Sequence, residues 1–182
     1  MKLLLVHGRL RERDPLRIAV EDLKAELRRR GVETEAFSPL KTEDLLCSGC
    51  GACRGAGLCV ADPRGKEFLK AAGDCDAFLF IASGGLFGLD IDMKNLLERA
   101  ASLALRREDH PLAGKKAAAL LLCRSGGRKS AAQMAELLQK LGLLLPVGVE
   151  LPVLRRDAPG TAQTLRDLAR LLTENREQER SK

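Results

Sequence analysis

Apolar positions along the chain follow two periods, one typical of buried strands and one typical of amphipathic helices. Residues 3–6 form a continuous apolar run, as expected for a strand that is covered on both faces. Asp14-Pro15 then supplies a helix N-cap and a first-turn proline, and apolar residues follow at helical spacing as far as Leu27. Gly31 ends this helix. The chain is therefore predicted to begin with a strand followed by a helix.

The same alternation continues to the end of the chain. Further strands are predicted at residues 32–37, 77–82, 117–123 and within 143–153. Further helices are predicted at about residues 64–72, around 93–100 and 134–141, and at 161–172.

Five strand–helix units in succession imply a parallel sheet with helices on both faces. The prediction is an α/β fold: a three-layer, doubly wound, five-stranded parallel sheet of flavodoxin-like strand order 2-1-3-4-5. At roughly 150 residues per domain, the length favours one domain. We assign residues 1–175 to it and expect a charged, frayed tail at 176–182.

Composition and charge exclude several classes of protein. The net charge of +6 is modest, the basic residues are interleaved with acidic ones, and the chain has no Trp and no Tyr. A nucleic-acid binder usually has a segregated basic patch with stacking aromatics, so nucleic-acid binding is not expected. Apolar runs such as residues 117–123 are much shorter than the ~20 residues of a membrane span. Residues 3–6 are too short for a signal peptide, so we expect a cytoplasmic protein with reduced cysteines.

A loop after the second predicted strand concentrates most of the six cysteines. The spacing C-x2-C-x2-C-x5-C is made by Cys47, Cys50, Cys53 and Cys59. Two-residue gaps between the first three are the spacing of ferredoxin-type [4Fe–4S] ligands, and the intervening glycines allow the chain to wrap around a cluster. Zinc is an alternative, although four-cysteine zinc sites usually divide into two separated pairs, and thiols without a metal are another. Cys75 and Cys123 are predicted to be small core residues.

The loop after the first strand lies where phosphates usually bind, between a strand and a helix N-terminus. Arg9 and Arg11 would suit a phosphate there, together with the amides around Gly8. The loop contains no Ser or Thr, however, and Asp14 can cap the helix itself, so a purely structural loop is the competing interpretation. His7 is predicted to be a packing residue at the strand end.

A glycine-rich segment, residues 83–92, follows the strongest predicted strand. Bare glycines let backbone amides approach a planar ring, and Phe87 could pack beside such a ring. An ordinary turn is the alternative, because glycine clusters mark turns as well. We expect Asp92 to cap the helix that follows.

Taken together, these segments resemble the NADPH-dependent FMN reductase family, and within it the iron–sulfur flavoproteins, over roughly residues 1–150. The most specific part is the cysteine loop, which ends Gly57-Leu58-Cys59-Val60-Ala61-Asp62. Gly126-Gly127 is similar to the glycines that follow the family's fourth strand. Of the family's phosphate loop, G-S-P-R-x-x-G-N-T, Gly8 and Arg11 match.

Residues 83–99 are similar to the family's segment S-P-x-Y-x-G-x-x-S-x-x-L-K-x-x-I-D-R. Ser83 and Gly88 match in register, and Lys94 and Arg99 match after a one-residue deletion.

The resemblance implies FMN at the carboxyl edge of the sheet and electrons passing from NAD(P)H or ferredoxin to an acceptor. It also implies a [4Fe–4S] cluster near a subunit interface, in a homodimer or homotetramer. It assigns no catalytic acid or base. The residues implied to bind FMN are Gly8, Arg9, Arg11, Ser83, Gly84, Gly85, Leu86, Phe87, Gly88, Gly126 and Gly127. The residues implied to bind iron are Cys47, Cys50, Cys53 and Cys59.

Two other functions are compatible with the same residues. The first is a flavin-free carrier, sensor or partner subunit that binds a cluster or metal, which the incomplete phosphate loop favours. The second is a flavin reductase without a cluster, in which the cysteines act as thiols.

Overall fold

Strands and helices alternate along the part of the chain that the structure, a computed structural model, describes. The described residues are 1–8, 15–38, 49–53, 64–104, 110–123, 127–145, 152–154 and 159–174. Their strands are β1 (Lys2–His7), β2 (Glu33–Phe37), β3 (Ala77–Gly85), β4 (Gly88–Leu89), β5 (Lys116–Cys123) and β6 (Val153–Leu154). Their helices are α1 (Pro15–Arg29), α2 (Arg64–Gly73), α3 (Ile91–Ala104), α4 (Gly127–Lys140) and α5 (Thr161–Glu174).

One sheet of strand order β2-β1-β3-β5-β6 joins these strands. Neighbours along this path are parallel, and β4 pairs with β3 in the antiparallel sense, off the path. With β4 set aside, this is the predicted flavodoxin-like order, so the fold prediction is confirmed. β1 pairs with β3 as far as His7 opposite Ile81, whereas β3 runs on to Gly85. β3 therefore extends beyond β1 at the carboxyl edge of the sheet.

The helices cover both faces of the sheet. In β1, Leu3 and Leu5 belong to one core cluster with residues of α1 and α5, and Leu4 and Val6 belong to a second cluster with residues of α2, α3 and α4. Successive side chains of a strand point to opposite faces, so one apolar run serves both clusters. This double burial explains why the strand is continuously apolar.

Residues 83–92 differ from the predicted loop. The chain continues β3 to Gly85, turns at Leu86 and Phe87, returns as β4, and enters α3 at Ile91. The reason is that the end of β3 has no β1 beside it, and buried backbone groups need partners. The returning segment supplies them.

The last predicted strand, within residues 143–153, is described only at its two ends. Leu144 forms an isolated bridge with Lys116, and β6 is Val153–Leu154. Residues 146–151 between them, and residues 175–182, which include the predicted tail at 176–182, lie outside the described residues. No helix in the described part of the chain is long and apolar enough to cross a membrane.

Candidate functional site

The strand ends that precede the predicted ligand-binding loops lie at the carboxyl edge of the sheet. β1 ends beside Gly8, β3 ends at Gly85, β5 ends at Cys123, and α4 begins at Gly127. Ligands of doubly wound sheets bind beyond this edge. Three predicted cofactor residues, Arg9, Arg11 and Gly126, lie outside the described residues.

A β-hairpin formed by β3 and β4 projects from this edge. Gly84 pairs with Leu89 and Gly85 with Gly88. At the turn, Leu86 is 66% exposed and Phe87 is 87% exposed. Two large apolar side chains are therefore exposed to solvent at the hairpin tip.

Asp90 joins the end of β3 to the start of α3. Its Oδ2 accepts a hydrogen bond from the Ser83 N–H at 3.0 Å, and its Oδ1 accepts one from the Met93 N–H at 3.0 Å. Its own N–H donates to the Ser83 carbonyl at 2.9 Å, and its carbonyl accepts from the Lys94 N–H at 3.0 Å. Burial raises the pKa of the Asp90 carboxyl, and the hydrogen bonds from the Met93 and Ser83 amides oppose that rise.

Asp90, not Asp92, is the N-cap of α3. The prediction that Asp92 caps this helix is wrong, because Asp92 lies within the first turn and is exposed. A capping carboxylate accepts from the amide two or three residues further on, and Asp90 does this at Met93.

Gln133 of α4 holds the other strand of the hairpin. Its Oε1 accepts a hydrogen bond from the Leu89 N–H at 2.8 Å. A side-chain carbon built on Gly88 would lie 2.8 Å from the Gln133 Cδ and closer still to its oxygen. Gly88 also has φ +122°, which L side chains rarely adopt. Position 88 therefore requires glycine for packing and for backbone conformation.

The predicted cofactor glycines divide into two kinds. A side-chain carbon on Gly84 would lie 2.8 Å from the Cys123 Sγ and closer still to the Ser130 hydroxyl, and one on Gly127 would collide with Val153. These glycines allow elements to pack against one another. By contrast, a side-chain carbon on Gly8 or Gly85 would meet no atom of the described residues within 4 Å.

Open glycines and an apolar hairpin tip occur at the same edge of the sheet. Gly8 directly follows β1 and Gly85 ends the neighbouring β3, and Leu86 and Phe87 add exposed apolar surface. Mostly apolar surface with a few convergent polar groups is what a planar organic ligand requires. The predicted phosphate contacts of Arg9 and Arg11 lie outside the described residues.

Ser130 and Gln133, two neighbours of the hairpin on α4, are not indicated by any pattern in the sequence. Ser130 is fully buried, and its hydroxyl has no hydrogen-bond partner among the described residues. Gln133 is 44 positions from Leu89 in the chain, so no local pattern connects them.

His7 is half-buried at the end of β1. Its Nδ1 lies 2.9 Å from the Gly8 carbonyl, which accepts a hydrogen bond in the tautomer that carries the proton on Nδ1. Burial lowers the pKa of the His7 imidazole below its ordinary value of 6.5. The neutral ring is therefore favoured at the strand end.

Two of the four predicted cluster ligands lie in the described residues. Cys50 is exposed and Cys53 is half-buried, while Cys47 and Cys59 lie outside the described part of the chain. Gly49 and Gly51 flank Cys50 with φ +70° and +72°, so the segment turns through left-handed conformations on both sides of this thiol. Within the described residues, no group of three or more His, Cys, Asp or Glu side chains is arranged to hold a metal ion.

The cysteine segment packs against the helix layer of α3 and α4. Cys53 contacts the core on this side and lines a groove of about 350 Å³ with Arg99, Leu137 and Lys140. Cys53 thus lies beside a groove that is lined in part by α3, the helix that Asp90 caps.

The remaining cysteines are core residues, as predicted. Cys75 is 3% exposed and Cys123 is 5% exposed. Burial raises the pKa of the Cys75 thiol to about 11, so it is protonated and inert near neutral pH.

Comparisons with known proteins agree with this architecture. The profile of the family described as NADPH-dependent FMN reductase matches residues 1–153. An archaeal flavodoxin is 15% identical with TM-score 0.62, and the match covers 96% of this chain and 98% of the flavodoxin. An NADH:FMN oxidoreductase in its apo form is 14% identical with TM-score 0.63, covering 96% of this chain and 89% of that one.

A flavodoxin variant from Pseudomonas aeruginosa is 18% identical with TM-score 0.57, covering 96% of both chains. No curated protein matches the sequence significantly. At these identities the structural likeness establishes the fold.

Proposed function

The chain belongs to the NADPH-dependent FMN reductase family, and on that premise we propose that it is an FMN-dependent oxidoreductase that passes electrons from a reduced donor to an acceptor. The observation that carries the proposal is the pair of open glycines, Gly8 and Gly85, beside an exposed apolar hairpin tip at the carboxyl edge. FMN, when bound, supplies the hydride and electron chemistry. The protein's task is to bind and orient it.

Backbone groups that are already hydrogen-bonded within the protein are not available to bind the flavin ring. Both backbone groups of Ser83 are bonded to Asp90, so only its side chain remains for the cofactor. Gly85, Leu86 and Phe87 supply the surface on which the ring packs. Gly84 and Gly88 act indirectly, because they let α4 approach the hairpin.

The phosphate end of FMN is assigned to Arg9, Arg11 and the amides around Gly8, with Gly126 and Gly127 beside the ring. Guanidinium groups and free amides at a helix N-terminus are the usual phosphate ligands. NAD(P)H is the proposed donor, with ferredoxin as the alternative. No side chain is assigned as acid or base, because hydride transfer requires none.

A [4Fe–4S] cluster is the second proposed cofactor, held by Cys47, Cys50, Cys53 and Cys59 as an electron relay to FMN. The left-handed glycines on both sides of Cys50, and its exposed thiol, support a chain that wraps around a cluster. The proposal includes a homodimer or homotetramer with the cluster near the interface, in the cytoplasm, where thiols remain reduced.

A flavin-free protein that carries a cluster or metal is the second candidate function. The observation that favours it is the loop from Gly8 to Asp14, which contains no Ser or Thr hydroxyl for a phosphate. Each lost hydrogen bond to a charged group weakens binding by about 1.5–3 kcal/mol.

The visible spectrum of anoxically purified protein, followed by FMN titration, distinguishes these functions. Two resolved flavin bands, and saturable FMN binding by the stripped protein, are expected. A broad brown absorption without flavin bands, together with no FMN binding, would favour the flavin-free carrier. Flavin bands without iron would leave a flavin reductase whose cysteines act as thiols.

A further inference from the structure

The Asp90 carboxylate does more than cap a helix. Capping α3 requires one oxygen, and the Met93 amide takes it at 3.0 Å. The second oxygen accepts from the Ser83 amide on β3 at 3.0 Å, and the Asp90 N–H donates back to the Ser83 carbonyl. A Ser or Thr side chain could cap the helix, whereas only a side chain with two acceptor oxygens can bond to both α3 and β3.

Asp90 also bonds to backbone groups of β3 that a neighbouring strand would otherwise pair with. Just after β1, the Gly8 N–H donates to the Ile81 carbonyl at 3.4 Å, which among the described residues is the last backbone bond on this side of β3 before Ser83. Backbone groups of residues two apart in a strand point to the same side, so Ser83 presents the next pair of groups on the side of β1. Asp90 bonds to both of them. It therefore lies beside β3 on the side of β1, one bonded position beyond Ile81 and at the base of the hairpin.

We propose that Asp90 is a positioning residue of the flavin site, which holds Ser83 and thereby fixes the hairpin that carries Gly85, Leu86 and Phe87 against the ring. This inference rests on the proposed function. Gln133 bonds to Leu89 on the opposite strand of the hairpin, so the tip is held from both sides. Without the Asp90 carboxylate, the end of β3 would keep its pairing with β5 and the backbone bond from residue 90 to the Ser83 carbonyl, but the Ser83 N–H would lose its acceptor.

The test compares Asp90→Ser with Asp92→Asn. Asp90→Ser keeps a cap for α3 but cannot reach Ser83, and Asp92→Asn removes the same charge from an exposed position two residues away. Hydrogen exchange of the Ser83 amide is measured without FMN, thermal unfolding verifies that each variant is folded, and FMN affinity is measured by titration. We expect Asp90→Ser to raise Ser83 exchange and the FMN Kd by about tenfold or more, the effect of losing a hydrogen bond to a charged group. Asp92→Asn should change neither.

Each other outcome counts against the inference in a distinct way. Unchanged Ser83 exchange in Asp90→Ser would mean that the carboxylate does not hold the hairpin. Raised exchange with unchanged FMN affinity would mean that the hairpin is held but does not position the ring. If the wild-type protein bound no FMN, the proposed function itself would fail, and the role of Asp90 toward the ring would be overturned with it. Ser83 exchange would then still report whether Asp90 holds the hairpin.

Discussion

Ser83 and Asp90 exchange two hydrogen bonds, one from each backbone amide, and so close the hairpin segment at its base. The acceptor for one is the Asp90 carboxylate and for the other the Ser83 carbonyl. The arrangement turns a glycine-rich stretch into an ordered part of the sheet. Of its glycines, Gly84 and Gly88 pack against neighbouring residues, whereas Gly85 lies on open surface.

Replacing a packed glycine should lower the stability of the protein, whereas replacing an open glycine should weaken FMN binding. Gly84→Ala places a methyl group against Cys123 and Ser130 and should lower the free energy of unfolding by about 1–3 kcal/mol. The added methyl group of Gly85→Ala meets no atom within 4 Å in the part of the chain that the structure describes, so this change should leave stability unchanged while weakening FMN binding. Denaturant unfolding and FMN titration measure the two effects. Equal FMN affinity for Gly85→Ala and the wild type would remove Gly85 from the ring surface.

Loss of one cysteine from the predicted iron loop should abolish the cluster. Cys50→Ser should eliminate bound iron without unfolding the protein, because the side chain is exposed. Elemental analysis of anoxically purified protein measures iron per chain, and Cys75→Ala, a change at a buried thiol outside the loop, is the control. Iron content that is unchanged in Cys50→Ser would contradict the cluster assignment.

Loss of a guanidinium from the first loop should weaken FMN binding. Arg11→Ala should cost about 1.5–3 kcal/mol, which corresponds to a Kd at least about tenfold higher. Arg17→Ala removes the same charge from an exposed position on α1 and should have little effect. The measurement is fluorescence titration of FMN, and identical affinities for Arg11→Ala and the wild type would rule out this phosphate contact.

His7 should make the protein less stable as the pH falls. Because burial lowers the pKa of His7 below 6.5 in the folded state, the unfolded chain takes up its proton first, and stability is lost as the pH falls from above 6.5 through the folded pKa. His7→Asn should reduce the fall in Tm over this range. His110→Asn, at the other histidine, is the comparison. Parallel Tm–pH curves for His7→Asn and the wild type would contradict the prediction.

Much of the fold could be predicted because the relevant signals are local. The apolar runs of β1 and β3 are continuous since both strands are buried on two faces, and Gly31 ends the first helical stretch with φ +71°. The hairpin could not be predicted in this way, because Gln133 and Ser130, which pack against it, belong to a distant helix. The choice between Asp90 and Asp92 as cap depends on where Ser83 lies in space, and a one-dimensional pattern does not contain that information.

The proposed cofactor sites depend on the sequence to different degrees. Spacing alone predicts the iron–sulfur site, since two-residue gaps between the first three cysteines are typical of ferredoxin-type ligands, and this assignment stays a prediction. The flavin surface required the resemblance, and the separation of its glycines into open and packed positions required coordinates.

The exposed turn at Leu86 and Phe87 has a consequence for evolution and for engineering. Hydrogen bonds to Asp90 and Gln133 hold the base of the hairpin, while its two tip side chains are mostly exposed to solvent. Tip residues can thus be exchanged without disturbing the sheet, and a library randomised at these two positions should yield folded proteins that differ in their affinity for FMN.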